Sequence, residues 1–325
     1  MNLKSLASGP PDRPENLSYK VTTGTYYAIM EAMIGRNDKC WCGSDKKWKK
    51  CHFPDPGTSQ KKEDLTNLYQ KKLGIILKTP EQIAGIRAAC QLASKILDAT
   101  CAMAKKGVTT QELNDFAHKM HLDHGAIPAP LHYGEPPFPK SICTSLNNVI
   151  CHGIPNDTPL KNGDILNIDV TAILDGYYGD CSQMVTIGNV SPESQHVVDV
   201  SHECLMKAIG VLKPGLPLNA IGEAIESYAE SQNCSVVHQF IGHGVGIRFH
   251  ENPQIFHNRN QNTTLLVPGM TFTIEPMINL GQPDAVIDKK DQWTARTIDG
   301  KMSAQWEHTV LITNDGYELL TTWKK

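Results

Sequence analysis

Residues 243 to 250 read HGVGIRFH, two imidazoles at the ends of a segment with glycines at 244 and 246. Acids lie elsewhere in places where carboxylates are uncommon. The stretch NIDVTAILDGYYGD holds Asp169 and Asp180 on either side of an Asp175-Gly176 pair flanked by β-rich runs, a strong hairpin signal. A two-residue turn at 175–176 sets Thr171 opposite Asp180, with Asp169 two residues from Thr171 on the same face. The two aspartates are then diagonal neighbours, roughly 7 Å apart at Cβ. That spacing suits a pair of metal ions about 3.5–4 Å apart. Without cations, two carboxylates in an apolar cleft repel one another. The plainer alternative is two surface aspartates beside a turn.

Glu275 ends the apolar run TFTIE, and Glu307 sits inside SAQWEHTVLI. Burying either alone is costly, so each reads as a strand-edge charge or as part of a shared polar site. A single histidine is more often packed in a core than bound to anything. His243 and His250 together with four acids in β segments point to one site: one imidazole to ligate, the other to polarise a carbonyl. The glycines let the intervening backbone bend close to that site.

Elements that could position these residues are legible. Thr79, Pro80 and Gln82 form a helix-start signature ahead of apolar residues at helical spacing. TTQELNDFAHKMHLDHG is a second capped helix; HVVDVSHECLMKAIGVL and NAIGEAIESYAESQN are two more. Strands are expected in SICTSLNNVICHG, GDILNIDVTAIL, YYGDCSQMVTIG, SVVHQFIG, MTFTIEPMIN, WTARTIDG, SAQWEHTVLIT and YELLTTW. The order is helices then strands, twice, and KNGDILNIDV resembles VPGMTFTIEP. A duplicated α/β (α+β) body with antiparallel-rich sheet and helices on one face follows.

The 325 residues suffice for one or two domains, and 40 % apolar with 20 % charged content is ordinary for a globular chain. No run of 18 apolar residues and no secretory signal is seen, so a cytoplasmic protein is expected. Ten cysteines then read as thiols or metal ligands rather than disulfides. Residues 1–78 carry 14 Lys/Arg against 8 Asp/Glu, and residues 79–325 carry 17 against 26. A basic head thus precedes an acidic body. The division expected is a flexible arm (1–34), a cysteine-rich unit (35–53), a linker (54–78) whose later part, LTNLYQKKLGIIL, is helical, and the main domain (79–325).

In the head, GRNDKCWCGSDKKWKKCH supplies Cys40, Cys42, Cys51 and His52, a set suited to tetrahedral zinc. So small a unit has almost no core, and one structural Zn would supply its folding energy. It resembles the SEC-C-type zinc tail of the bacterial preprotein-translocase ATPase. Lys46, Lys47, Lys49 and Lys50 around Trp48 suit docking on ribosomal RNA or on a chaperone-type protein. A zinc staple without a partner is the alternative.

The segments CHGIPN, NIDVT, YYGD, GHGVGIRFHENP, PGMTFTIEP and SAQWEHT, in this order, closely resemble type I methionine aminopeptidases. The resemblance covers about 79–325. It implies the duplicated pita-bread fold and a two-metal hydrolase that removes the initiator methionine of nascent chains ahead of a small second residue. By that resemblance Asp169, Asp180, His243, Glu275 and Glu307 hold two divalent ions, drawn from Co, Mn, Fe(II) or Zn, with Asp180 and Glu307 bridging. One ion takes Asp180, His243, Glu275 and Glu307; the other takes Asp169, Asp180 and Glu307. A carboxylate-rich set favours harder ions over a thiolate-type zinc site. Glu275 would carry the proton, His250 would stabilise the oxyanion, and His152 would contact the substrate backbone. Tyr133, Phe138, Cys143, Phe249 and Trp293 would line the methionine pocket; Phe138 stands where a tyrosine is often found. A monomer is expected. The competing class is a docking adaptor whose body only binds peptides.

Overall fold

The computed structural model describes residues 65–323 and, ahead of them, 37, 46, 47 and 50. The arm, Cys40, Cys42, Cys51 and His52 lie outside the described residues.

Four long helices form, the first two where their caps placed them and the third beginning at Pro192, four residues ahead of the expected His196. Helix α1, Pro80–Met103, opens on a complete capping box in which Thr79 and Gln82 satisfy each other's backbone N–H. Helix α2, Thr110–Asp123, repeats the device with Thr109 and Glu112. Helix α3, Pro192–Gly210, is capped by Ser191, and α4 spans Asn219–Ser231.

The central hairpin pairs Ile165–Leu174 with Tyr177–Thr186 in the expected register, Thr171 opposite Asp180. Asp175 and Gly176 both take positive φ, 51° and 82°, as a two-residue hairpin turn requires. Helix α1 lies across this hairpin. At Gly179 an added Cβ would fall 2.2 Å from the Cys90 backbone nitrogen, so only glycine permits the approach. Gly179→Ala is therefore expected to cost about 1–3 kcal/mol through forced separation of helix and hairpin. Thermal unfolding of the variant measures it; an unchanged melting temperature would refute this packing account.

Pairing among the named strands is antiparallel throughout. The hairpin belongs to a four-stranded sheet with Ile127–Pro128 and Cys143–Leu146. A five-stranded sheet runs Tyr317–Leu319, His308–Ile312, Thr271–Ile274, Gly242–Gly244, Glu251–Ile255. Two large cores match the two halves. One joins α1 and α2 to the hairpin through Ile96, Leu97, Leu113, Ile168 and Val170. The other joins α3 and α4 to the second half's strands through Leu205, Ile225, Phe272, Ile274 and Val310. An antiparallel bridge between Ser182 and Glu307 joins the halves.

Two features were not foreseen. Residues 65–73 are helical, as LTNLYQKKLGIIL suggests, but the burial of Leu65, Leu68 and Tyr69 in the second core was not expected. The run Glu251–Ile255 is a strand paired with Gly242–Gly244, although Pro253 and its polar neighbours conceal any alternation. Proline is tolerated because this strand lies at the sheet's edge.

Candidate active site

Each half delivers acids to one point. The hairpin presents Asp169 and Asp180 on one face, as its register demands. Glu307 arrives on the backbone bridge, its N–H donating to the Ser182 carbonyl at 3.1 Å. Carboxylate oxygens of Asp169, Asp180 and Glu307 all lie within 4.8 Å of one another. His243 Nε2 lies 3.8 Å from Asp180 Oδ2 and 3.6 Å from Glu275 Oε1.

Asp180 and Glu307 are buried, Asp169 and Glu275 are half-buried, and the four carboxylates share one sign. Burial first, and then the charge of Asp180, push the carboxyls of Asp169, Glu275 and Glu307 well above the usual carboxylate range. Burial raises Asp180 to about 7, against the pull of a hydrogen bond from Thr171 Oγ1 to Oδ1 at 2.7 Å. Among the described residues, no lysine or arginine pairs with any of the four.

The imidazole makes the same point. The Gly244 carbonyl can only accept, so His243 Nδ1, 3.0 Å away, donates to it. The bare Nε2 lone pair then faces two carboxylate oxygens. Burial, assisted by neighbouring histidines, lowers the pKa of His243 to about 3, so the ring stays neutral. A lone pair aimed at carboxylates is repulsive unless a cation lies among them. Asp169, Asp180, His243, Glu275 and Glu307 thus fit a divalent-metal centre by donor type and by the charge they leave unbalanced.

The supporting contacts were not foreseen. Thr273 Oγ1 donates to Glu275 Oε1 at 2.7 Å, and Gln305 Nε2 to Oε2 at 3.0 Å. The alternation in TFTIE, which puts Thr273 and Glu275 on one face, was the available signal for the first. Nothing in the sequence pointed to Gln305, which reaches Glu275 across paired strands.

The segment HGVGIRFH turns back between two paired strands, bringing the His243 and His250 ring centroids to 4.2 Å. Gly244 is needed because an added Cβ would meet the Asn252 carbonyl oxygen at 2.2 Å. His250 Nδ1 lies 2.8 Å from the Tyr133 hydroxyl, and burial lowers its pKa to about 4. His152 is held at positive φ, 56°, a strained conformation of the kind found at sites. Burial, then the neighbouring His250, lowers its pKa to about 4. Asp169, Asp180, His243, Glu275 and Glu307, with His152 and His250, line a cleft of about 700 Å³. Tyr133, Phe138, Cys143, Phe249 and Trp293 line it too. So do Phe240, edge-on to His152 at 5.4 Å, and Met277, neither of which was anticipated.

The profile of metallopeptidase family M24 matches residues 84–314, which contain every acid and histidine of this cleft. The chain belongs to metallopeptidase family M24. In sequence the chain is similar to methionine aminopeptidases. That of Chlamydia muridarum is 59 % identical over 286 residues, 88 % of this chain and 98 % of the relative. That of Rickettsia prowazekii is 50 % identical, covering 76 % and 95 %. The crystal structure of the Rickettsia methionine aminopeptidase superposes with a TM-score of 0.74 over 76 % of this chain and all of that one. A prolidase from Pyrococcus furiosus, 22 % identical with a TM-score of 0.62, covers 81 % of this chain and 68 % of its own and shares the M24 fold. The pita-bread expectation is therefore met. The SEC-C motif matches residues 36–54, at the cysteine-rich head. Among the described residues, no helix is long and apolar enough to cross a membrane.

Proposed function

We propose that this M24 enzyme removes the initiator methionine from nascent proteins whose second residue is small. The observation that carries this reading is a set of buried and half-buried carboxylates with no lysine or arginine partner, and a neutral imidazole, beside an aromatic cleft. The named relatives and the M24 match support it. The cleft's aromatic and Met277 lining suits an unbranched thioether side chain.

Asp169, Asp180, His243, Glu275 and Glu307 would hold divalent ions, whose Lewis acidity would make water reactive near neutral pH and polarise a carbonyl. Glu275, oriented by Thr273 and Gln305, takes the proton released as water adds to the first peptide bond. With the Tyr133 hydroxyl donating to Nδ1, His250 keeps its proton on Nε2 and donates to the developing oxyanion. His152 binds the substrate backbone beside that bond, its ring held between Phe240 and Trp293. The hydrophobic lining excludes competing water from the methionine side chain.

Metal-stripped protein, reconstituted with Mn, Co, Fe(II) or Zn, is expected to cleave Met-Ala-Ser and leave Pro-Ala-Ser intact. Cleavage of neither peptide with any metal would return the chain to a peptide-binding adaptor.

For the head, Cys40, Cys42, Cys51 and His52 would hold one structural zinc, consistent with the SEC-C match. The chlamydial match spans more residues than the 65–323 body contains, so it extends into this head. Exposed Lys46, Lys47 and Lys50 favour an anionic partner such as ribosomal RNA. The reading is of a cytoplasmic monomer acting during synthesis.

A further inference from the structure

The turn that carries Phe249 and His250 is folded around one buried carboxylate. Glu251 Oε1 accepts the backbone N–H groups of Ile247 at 2.6 Å and Arg248 at 2.7 Å. Its other oxygen, Oε2, accepts from Lys78 Nζ at 2.6 Å, and the two side chains are 1 % and 2 % exposed. Lys78 is itself fixed, its backbone N–H donating to the Gly269 carbonyl at 2.8 Å. The neighbouring chain is tied to the same turn. Ile75 bridges Asn252, whose Nδ2 donates to the Leu73 carbonyl at 3.1 Å. Gly74 and Ile76 line the cleft beside His250.

A buried ion pair rarely adds much stability, because desolvation offsets the attraction. Its value is geometric where a charged group organises several donors at once. Here the carboxylate fixes two consecutive amides just ahead of Phe249 and His250, and the ammonium fixes the carboxylate. Burial pushes the Lys78 ammonium's pKa down while Glu251 pulls it back up, so the charge depends on that one partner.

We propose that Lys78, acting through Glu251, is a positioning residue for His250, so that the chain ahead of the first long helix sets the aim of a group at the reacting carbonyl. This rests on the reading of His250 as the oxyanion donor.

A double-mutant cycle tests it. Lys78→Met is expected to lower kcat on Met-Ala-Ser about tenfold or more, the effect typical of removing a supporting contact, with KM within about twofold. In a His250→Ala background the same change is expected to alter kcat by less than about twofold, because the group it positions is gone. Amide exchange at Ile247 and Arg248 is expected to accelerate in Lys78→Met while the 165–186 hairpin keeps its protection. Should Lys78→Met fail to fold, Lys78→Met/Glu251→Ala leaves no unpaired buried charge and is expected to repeat the loss of kcat. Equal losses in both backgrounds, unchanged exchange at 247–248, or full activity in the double variant would each overturn the proposal. A His250→Ala enzyme as fast as wild type overturns the oxyanion reading and this inference together. A slow His250→Ala enzyme beside a fast Lys78→Met enzyme overturns the inference alone.

Discussion

Asp180→Asn is expected to abolish turnover and, in metal-free protein, to raise the melting temperature. Asp180 lies at the centre of the cluster: its charge acts on Asp169, Glu275 and Glu307, and its carboxylate lies within 4.8 Å of that of Asp169 and 3.8 Å from His243 Nε2. Losing it removes a donor from any ion bound there. Metal Lewis acidity supplies several kcal/mol to the transition state, so about 10³-fold or more of the rate should go, at 1.36 kcal/mol per decade. The stability effect has the opposite sign. Asp180 titrates near 7 when folded, above the ordinary aspartate value of 3.8. A raised folded pKa contributes stability that is present below the unfolded pKa and lost as pH rises through the folded one. Metal-free wild type therefore carries a growing penalty between about pH 4 and 7, and the asparagine variant does not. The difference in melting temperature should favour the variant by on the order of 5 °C at pH 8 and shrink towards pH 4. With metal present the ranking should reverse, because binding stabilises only the chain with its ligands complete. A variant less stable than wild type without metal at pH 8 would mean that Asp180 is held by contacts other than an ion.

His250→Ala should show the second-largest effect, with a different signature. Loss of one oxyanion donor costs about 10²–10³ in kcat. His250 is outside the five-ligand set, so titration calorimetry should find metal affinity unchanged. Tyr133→Phe, which removes the hydroxyl partner of His250 Nδ1, should cost about tenfold and be additive with nothing in the His250→Ala background. A large fall in metal affinity in His250→Ala would reassign the residue from oxyanion donor to ligand.

How much could be read beforehand depended on the range of the interaction. The Asp175-Gly176 turn fixed the hairpin register, and through it the face shared by Asp169 and Asp180, because a two-residue turn leaves one pairing. The caps at Thr79 and Thr109 fixed two helix starts for the same local reason. Long-range assembly was less legible. That Glu307 sits beside the hairpin follows from a backbone bridge to Ser182, which no local pattern encodes; the resemblance supplied it. Leu65, Leu68 and Tyr69 lie in too short a stretch for helical period to distinguish a docked segment from a linker. The Glu251–Ile255 strand was hidden by Pro253 and by polar residues whose partners lie across the sheet. Glu251 itself reads as an ordinary surface charge until the fold buries it against Lys78.

The Ser182–Glu307 bridge bears on how the protein ages in a cell. The first half contributes Asp169 and Asp180 to the seam, and the second contributes His243, Glu275 and Glu307. Thr309 Oγ1 adds a 2.7 Å hydrogen bond to the Asp180 carbonyl across the same line. An ion gripped from both sides fastens the halves together, and its absence leaves like charges facing one another across their only shared acid cluster among the described residues. Ion starvation would then be felt first as faster degradation, with the pool of enzyme shrinking before its survivors slow. Trace-metal supply would set how many copies persist, and measured abundance would report the cell's mineral status.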